Sequence, residues 1–127
     1  MSAHPEHDEQ VAVVQWWRQQ YPKFAGLLFA SANGLYLGGT PRQRAVRWAL
    51  FEQSGGRAGV ADLMLAIPAK GWHGLWIEMK ARKGGRLSKD QEAFLTDMAA
   101  QGYMAICCKG ADEAINAIKI YLDDKDP

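Results

Sequence analysis

Apolar positions along the chain change period from segment to segment, and the changes mark the elements. Over residues 6–20, Val11, Val14 and Trp17, continued by Tyr21, recur at helical spacing, and Pro22 ends the run. Leu27 to Ala32 is a short apolar run closed by the turn signal Asn33-Gly34. Residues 41–53 return to helical spacing between strong boundaries: Thr40 as N-cap, Pro41 at the first position and Gly55-Gly56 past the end. Trp48, Phe51 and Val46 are the side of this helix expected to be buried, with its arginines outward. Two apolar runs follow, Asp62 to Ile67 and Leu75 to Lys80, separated by a loop carrying Pro68, Gly71 and Gly74. Ser88 then opens a helix from Lys89 to about Gln101 that buries Phe94, Leu95 and Met98. Tyr103 to Cys108 is a wholly apolar strand, which predicts the centre of a sheet, and Gly110 precedes a last helix with Ile115, Ile118, Tyr121 and Leu122 as its buried stripe. Asp123 to Pro127 is an acidic tail. The order αβαββαβα, with a hairpin leading through a helix to another strand, predicts an α/β fold: a mixed β-sheet flanked by helices.

The hairpin carries the chemistry. On Leu75–Lys80 the side chains of Trp76, Glu78 and Lys80 share one face and those of Leu75, Ile77 and Met79 the other, because successive strand residues point to opposite sides. With Ile67 opposite Leu75, counting outward places Asp62 opposite Lys80, one pair from Glu78. Two carboxylates and an ammonium then converge, a set suited to metal-assisted phosphodiester hydrolysis. Mg²⁺ takes oxygen ligands at about 2.1 Å in octahedral geometry and keeps several waters. Asp62, Glu78 and the backbone carbonyl of Met79 are the candidate protein ligands for Mg²⁺ or Mn²⁺. Lys80 has the charge to orient the attacking water and to offset charge building on the phosphate. An isolated Glu-x-Lys is common on solvated strands; its weight here comes from Asp62 at hairpin distance and from the apolar residues around both carboxylates.

The Asp, hairpin, Glu-x-Lys order resembles the PD-(D/E)XK nuclease signature, and the flanking sequence resembles the VRR-NUC branch of that superfamily as carried by phages and prophages. The features are Glu6 to Gln10, Asn33-Gly34, Gly59-Val60-Ala61-Asp62-Leu63, Gly74 to Lys80, Leu87 to Gln91 and Gly102-Tyr103, so they span nearly the whole of residues 1–127, read as one domain. The family usually has Pro before the metal-binding Asp, where this chain has Ala61; the proline offers no ligand. The resemblance implies a restriction-endonuclease-like core and catalytic roles for Asp62, Glu78, Lys80, Gln91 and Glu6. It makes Glu6 the acidic residue of the first helix that approaches the metal, through water, with Glu9 as the competing choice because acidic residues gather at helix starts for electrostatic reasons alone. It turns Gln91 toward the metal site, whereas Ser88 and Gln91 by themselves read as a capping box. It also puts Asn33-Gly34 near the site, where a simple turn reads equally well.

A net charge of +1 does not by itself announce a nucleic-acid binder, but the distribution is uneven. Lys80, Arg82, Lys83, Arg86 and Lys89 follow one another directly after the site, and Arg42, Arg44, Arg47 and Arg57 form a second group. Arg57, Arg82, Lys83, Arg86 and Lys89 are the candidate DNA contacts. With 48% hydrophobic and 23% charged residues, no apolar run long enough for a membrane span and no basic-then-apolar N-terminus, the chain reads as a cytoplasmic globular protein without a membrane. Adjacent Cys107 and Cys108 point to opposite faces of one strand and read as packing. The function that collects these features is a Mg²⁺- or Mn²⁺-dependent DNA endonuclease acting on branched or junction DNA, or nonspecifically, with a homodimer as the form able to cut both strands. The alternatives are a non-catalytic nucleic-acid-binding module of the same fold and a restriction-type endonuclease.

Overall fold

The structure, a computed structural model, describes residues 4–32 and 38–123. The Asn33-Gly34 turn and most of the acidic tail lie outside the described residues. In chain order the elements are α1 (Pro5–Gln20), a 3₁₀ segment (Pro22–Leu27), β1 (Leu28–Ala30), α2 (Pro41–Gln53), β2 (Leu63–Leu65), β3 (Leu75–Lys80), α3 (Lys89–Ala100), β4 (Met104–Lys109) and α4 (Ala111–Tyr121). The strands form a mixed sheet in the order β1-β2-β3-β4, with β1 and β3 antiparallel to β2 and β4 parallel to β3. Among the described residues, no helix is long and apolar enough to cross a membrane.

One face of the sheet is the core. Leu63, Leu65, Leu75, Ile77 and Met79 pack with Val13 and Trp17 of α1 and with Ala114, Ile118 and Tyr121 of α4, all 0–1% exposed. Each aliphatic side chain so buried contributes about 1.5–3 kcal/mol. The polar ends of the two large aromatic residues are satisfied inside: Trp17 Nε1 donates to the Phe24 carbonyl at 2.9 Å, and the Tyr121 hydroxyl donates to the Ile67 carbonyl at 2.7 Å. The opposite face is covered by α3, where Phe94 meets Trp76 edge-on with ring centroids 5.0 Å apart.

Three expectations need correction. The buried stripe of α1 is Val13 and Trp17, with Val14 and Tyr21 packed beside them, while Val11 is 37% exposed. β4 is not central: it pairs with β3 alone and is half-buried along most of its length, its apolar residues being shared between the α3 and α4 sides of an edge strand. The inner strands are β2 and β3, each hydrogen-bonded on both sides.

The third correction concerns α2. It begins where Thr40 and Pro41 predict, with a complete Thr40–Gln43 capping box, yet no residue of it is buried among the described residues, and Val46 and Leu50 are 55% and 59% exposed. Trp48 and Phe51 stack on each other, ring centroids 5.3 Å apart, instead of entering the core. Local signals made this helix; no described layer lies over it.

Candidate active site

Leu65 pairs with Leu75 and Leu63 with Ile77, which puts Asp62 level with Glu78, not with Lys80. The reason lies in the connection. The turn is at Lys70–Gly71, both at positive φ (53° and 85°), closed by an Ala69–Trp72 bridge, and its arms are unequal, residues 66–68 on one side against 73 and 74 on the other. A register two residues away from the expected one keeps the parity, so Asp62, Glu78 and Lys80 still share a face.

Asp62 is held from two directions. Its carbonyl accepts from Ser31 N at 2.9 Å, and its Oδ2 accepts from Met79 N at 2.7 Å, so the side chain completes a rung beyond the end of β2. The N–H and C=O of one strand residue point to the same side, so the Met79 carbonyl is directed to the side where Asp62 lies. Ala61 is fully buried.

Glu78 is 2% exposed. Its Oε2 accepts from Gln91 Nε2 at 3.1 Å and lies 3.6 Å from Lys80 Nζ; its Oε1 is buried without a hydrogen-bond partner among the described residues. Burial first, and then the neighbouring Asp62 carboxylate, push the Glu78 carboxyl up to about 8, against the opposing pull of Lys80. A carboxyl out of water beside a second carboxylate favours a proton or a metal cation between the two. No cluster of three or more His, Cys, Asp or Glu side chains able to hold a metal occurs among the described residues. The protein oxygens on offer are therefore two carboxylates and a main-chain carbonyl, which suits a hard ion that keeps much of its water, as Mg²⁺ does.

Gln91 does both things the sequence allowed. Its Oε1 accepts from Ser88 N at 2.9 Å while Ser88 Oγ accepts from Gln91 N at 3.1 Å, closing the capping box of α3, and its Nε2 is left to hold Glu78. The loop delivering Asp62 lies directly on that first turn. Gly59 has φ 82°, and a Cβ there would sit 2.4 Å from the Asp90 carbonyl carbon, so only glycine permits the approach.

A cavity of about 530 Å³ opens at Asp62, lined also by His4, Glu6, His7, Gln10 and Lys83 among others, while Glu78, Lys80 and Gln91 are not part of its lining. Glu6 is thus at the cavity and Glu9 is engaged elsewhere: its Oε1 accepts from Arg82 Nε at 2.9 Å and its Oε2 from Ala111 N, bonds that hold its carboxyl below the usual range. The basic residues divide in the same way. Lys83 lines the cavity, and Lys83, Arg86 and Lys89 are exposed with no ion-pair partner among the described residues. Arg57 pairs with Asp97 at 2.7 Å and lies over the Phe94 ring, and Arg82 reaches Asp112 at 3.6 Å besides Glu9. Sequence reasoning missed the junction of Glu9, Arg82 and Ala111, whose members are 102 positions apart at the extremes and carry no local signal of meeting. It also missed His4 and His7 at the cavity, which helical spacing from Glu6 and Gln10 marks out.

A mixed sheet with an inner strand that presents Glu-x-Lys beside an Asp just before the neighbouring strand defines an α/β protein with a carboxylate–lysine site at a strand end. A family model for the VRR-NUC domain matches residues 4–112, and the chain belongs to that family of nuclease domains. A solved structure titled "VRR_NUC domain protein" superposes with a TM-score of 0.80 at 26% identity, covering 99% of this chain and 94% of the other. No curated protein matches the sequence.

Proposed function

We propose that this protein is a Mg²⁺- or Mn²⁺-dependent DNA endonuclease. The observation that carries the reading is Glu78, buried beside Asp62 with no donor to its Oε1 among the described residues, and with the Lys80 ammonium 3.6 Å from the other oxygen of the same carboxylate. Asp62, Glu78 and the Met79 carbonyl would hold the ion, with Glu6 reached through water; bound there, it would supply Lewis acidity and a water of lowered pKa. The chain's own residues do the rest. Gln91 fixes the Glu78 carboxylate, Lys80 orients the attacking water and offsets charge on the phosphate, and Lys83, Arg86 and Lys89 hold the backbone.

Those three contacts read charge and not base sequence, which favours branched, junction or nonspecific cleavage over a restriction-type recognition site. Cutting both strands together calls for two sites, hence a homodimer. The same reading places the protein in the cytoplasm of a bacterial host, encoded by a phage or prophage.

The test is a panel of labelled duplex, nicked, flap and four-way DNA in Mg²⁺ or Mn²⁺, with EDTA as control. Asp62→Ala and Glu78→Ala should each lower single-turnover cleavage by about 10³-fold or more while the circular dichroism stays native. Lys80→Ala should cleave as poorly yet still titrate Mn²⁺, because an ammonium is not a ligand. Intact substrate throughout, under either metal, would leave a binding module in place of an enzyme.

A further inference from the structure

Three elements that carry site residues meet at one junction. α1 brings Glu6, β3 ends in Lys80, and α4 starts directly after the Gly110 amide has donated to the Lys80 carbonyl at 2.9 Å. Gly110 gives α4 no side-chain cap. The carboxylate of Glu9 stands in, taking the first amide of α4 on Oε2 and Arg82 Nε on Oε1, while Arg82 also reaches Asp112 in the first turn of α4. Gly110 sits at φ 90°, and a Cβ there would lie 2.8 Å from Arg82 Cγ and 3.2 Å from Glu9 Oε2, so the junction has no room for a side chain. Glu9 stands one helical turn beyond Glu6, close enough for the anchoring of one to set the direction of the other.

We propose that Glu9 is a positioning residue, whose bonds to Ala111 and Arg82 lock the first turn of α1 and thereby aim Glu6 into the cavity lined by Asp62. The proposal rests on the reading of Glu6 given above. It removes Arg82 from the DNA contacts and makes it a clamp: its guanidinium is held by two acids on two helices. The depressed Glu9 carboxyl agrees with this geometry, since both of its bonds favour the ionised form.

The experiment uses the full chain without DNA and reads two quantities: amide hydrogen exchange by NMR in the metal-free protein, and Mn²⁺ affinity by calorimetry. Losing these bonds in Glu9→Ala should speed exchange at residues 8–10 and at Ala111 by about fivefold or more. It should weaken Mn²⁺ about tenfold, matching Glu6→Ala, and the double variant should bind no worse than Glu6→Ala alone. Glu9→Gln, which keeps one acceptor, should recover part of both losses, and Arg82→Ala should reproduce a smaller part of them. Unchanged exchange at residues 8–10 in Glu9→Ala would overturn the lock, and so would additive Mn²⁺ losses in the double variant. A Glu6→Ala protein that binds Mn²⁺ like the wild type, with exchange still accelerated in Glu9→Ala, would instead overturn the role given to Glu6.

Discussion

The two faces of β3 are buried almost equally and for opposite reasons. Leu75, Ile77 and Met79 are 0% exposed against α1 and α4, while Glu78 and Lys80 on the other side are 2% and 7% exposed. On the first face each ångström removed from water stabilises the fold. On the second, taking a carboxyl and an ammonium out of water is unfavourable, and their mutual attraction offsets only part of it. One face therefore holds the strand still, and the other uses a strand that is already held to keep poorly solvated charges close together.

Substitutions on the two faces should separate cleanly, and the largest effect belongs to the core face. Ile77→Ala should cost about 3–5 kcal/mol in metal-free urea unfolding, because a rigid, close-packed site cannot collapse around the missing atoms. Glu78→Gln, one residue along, should have the opposite sign at pH 8: the amide keeps the size and the contact with Gln91 and sheds the charge. A Glu78→Gln protein as unstable as Ile77→Ala would mean that both faces stabilise in the same way.

Much of this division was legible in the sequence, and the reasons differ by residue. The alternation over Leu75–Lys80 predicted the strand to its ends and assigned Trp76, Glu78 and Lys80 to one face, because parity is a property of the strand alone. The partner register was not so written. It depends on the Lys70–Gly71 turn and its unequal arms, and a count through the loop puts Asp62 two residues from its observed level. Thr40 and Pro41 gave the start of α2 because a cap is local, and misled about Trp48, Phe51 and Val46 because burial needs a neighbouring layer. Gln91 resisted a single assignment because its amide has two ends, one for Ser88 and one for Glu78. The ion pairs of Arg82 and Arg57 were not legible, because sequence shows charge and not the acid across from it.

The polar face should also respond to pH, with a sign that the core face lacks. In the metal-free folded protein Glu78 keeps its proton up to about pH 8, and in the unfolded chain it releases it near the ordinary value of 4.5, so the folded state binds more protons throughout that window. Stability should fall as pH rises from about 4.5 to 8, by up to roughly 5 kcal/mol. Glu9 acts in the other direction: held below 4.5, it contributes stability above that pH and loses it on acidification. Urea midpoints across pH 4–9 check both. Glu78→Gln should flatten the upper window only, and Mn²⁺ should bind more tightly as pH rises, since it displaces the Glu78 proton. A wild-type midpoint that rises between pH 5 and 8 without metal would contradict the protonated Glu78.

The smallest expected effect lies outside both faces, in two arginines four residues apart. Arg86 is exposed and free of ion pairs among the described residues, so a phosphate that it neutralises releases its counterion; Arg86→Ala should weaken DNA binding less than tenfold and lower the slope of log K against log[salt] by about 0.9. Arg82 is already neutralised by Glu9 at 2.9 Å and approached by Asp112 at 3.6 Å, so Arg82→Ala should leave the slope near the wild-type value. At saturating protein Arg86→Ala should cleave at the wild-type rate, because it touches neither carboxylate nor Lys80, while Arg82→Ala should cleave more slowly because Glu6 is no longer aimed. Fluorescence titrations at two or more salt concentrations, beside single-turnover cleavage, decide the pair. Equal drops in slope for the two variants would mean that the Glu9–Arg82 bond opens on DNA and that Arg82 serves as a phosphate contact after all.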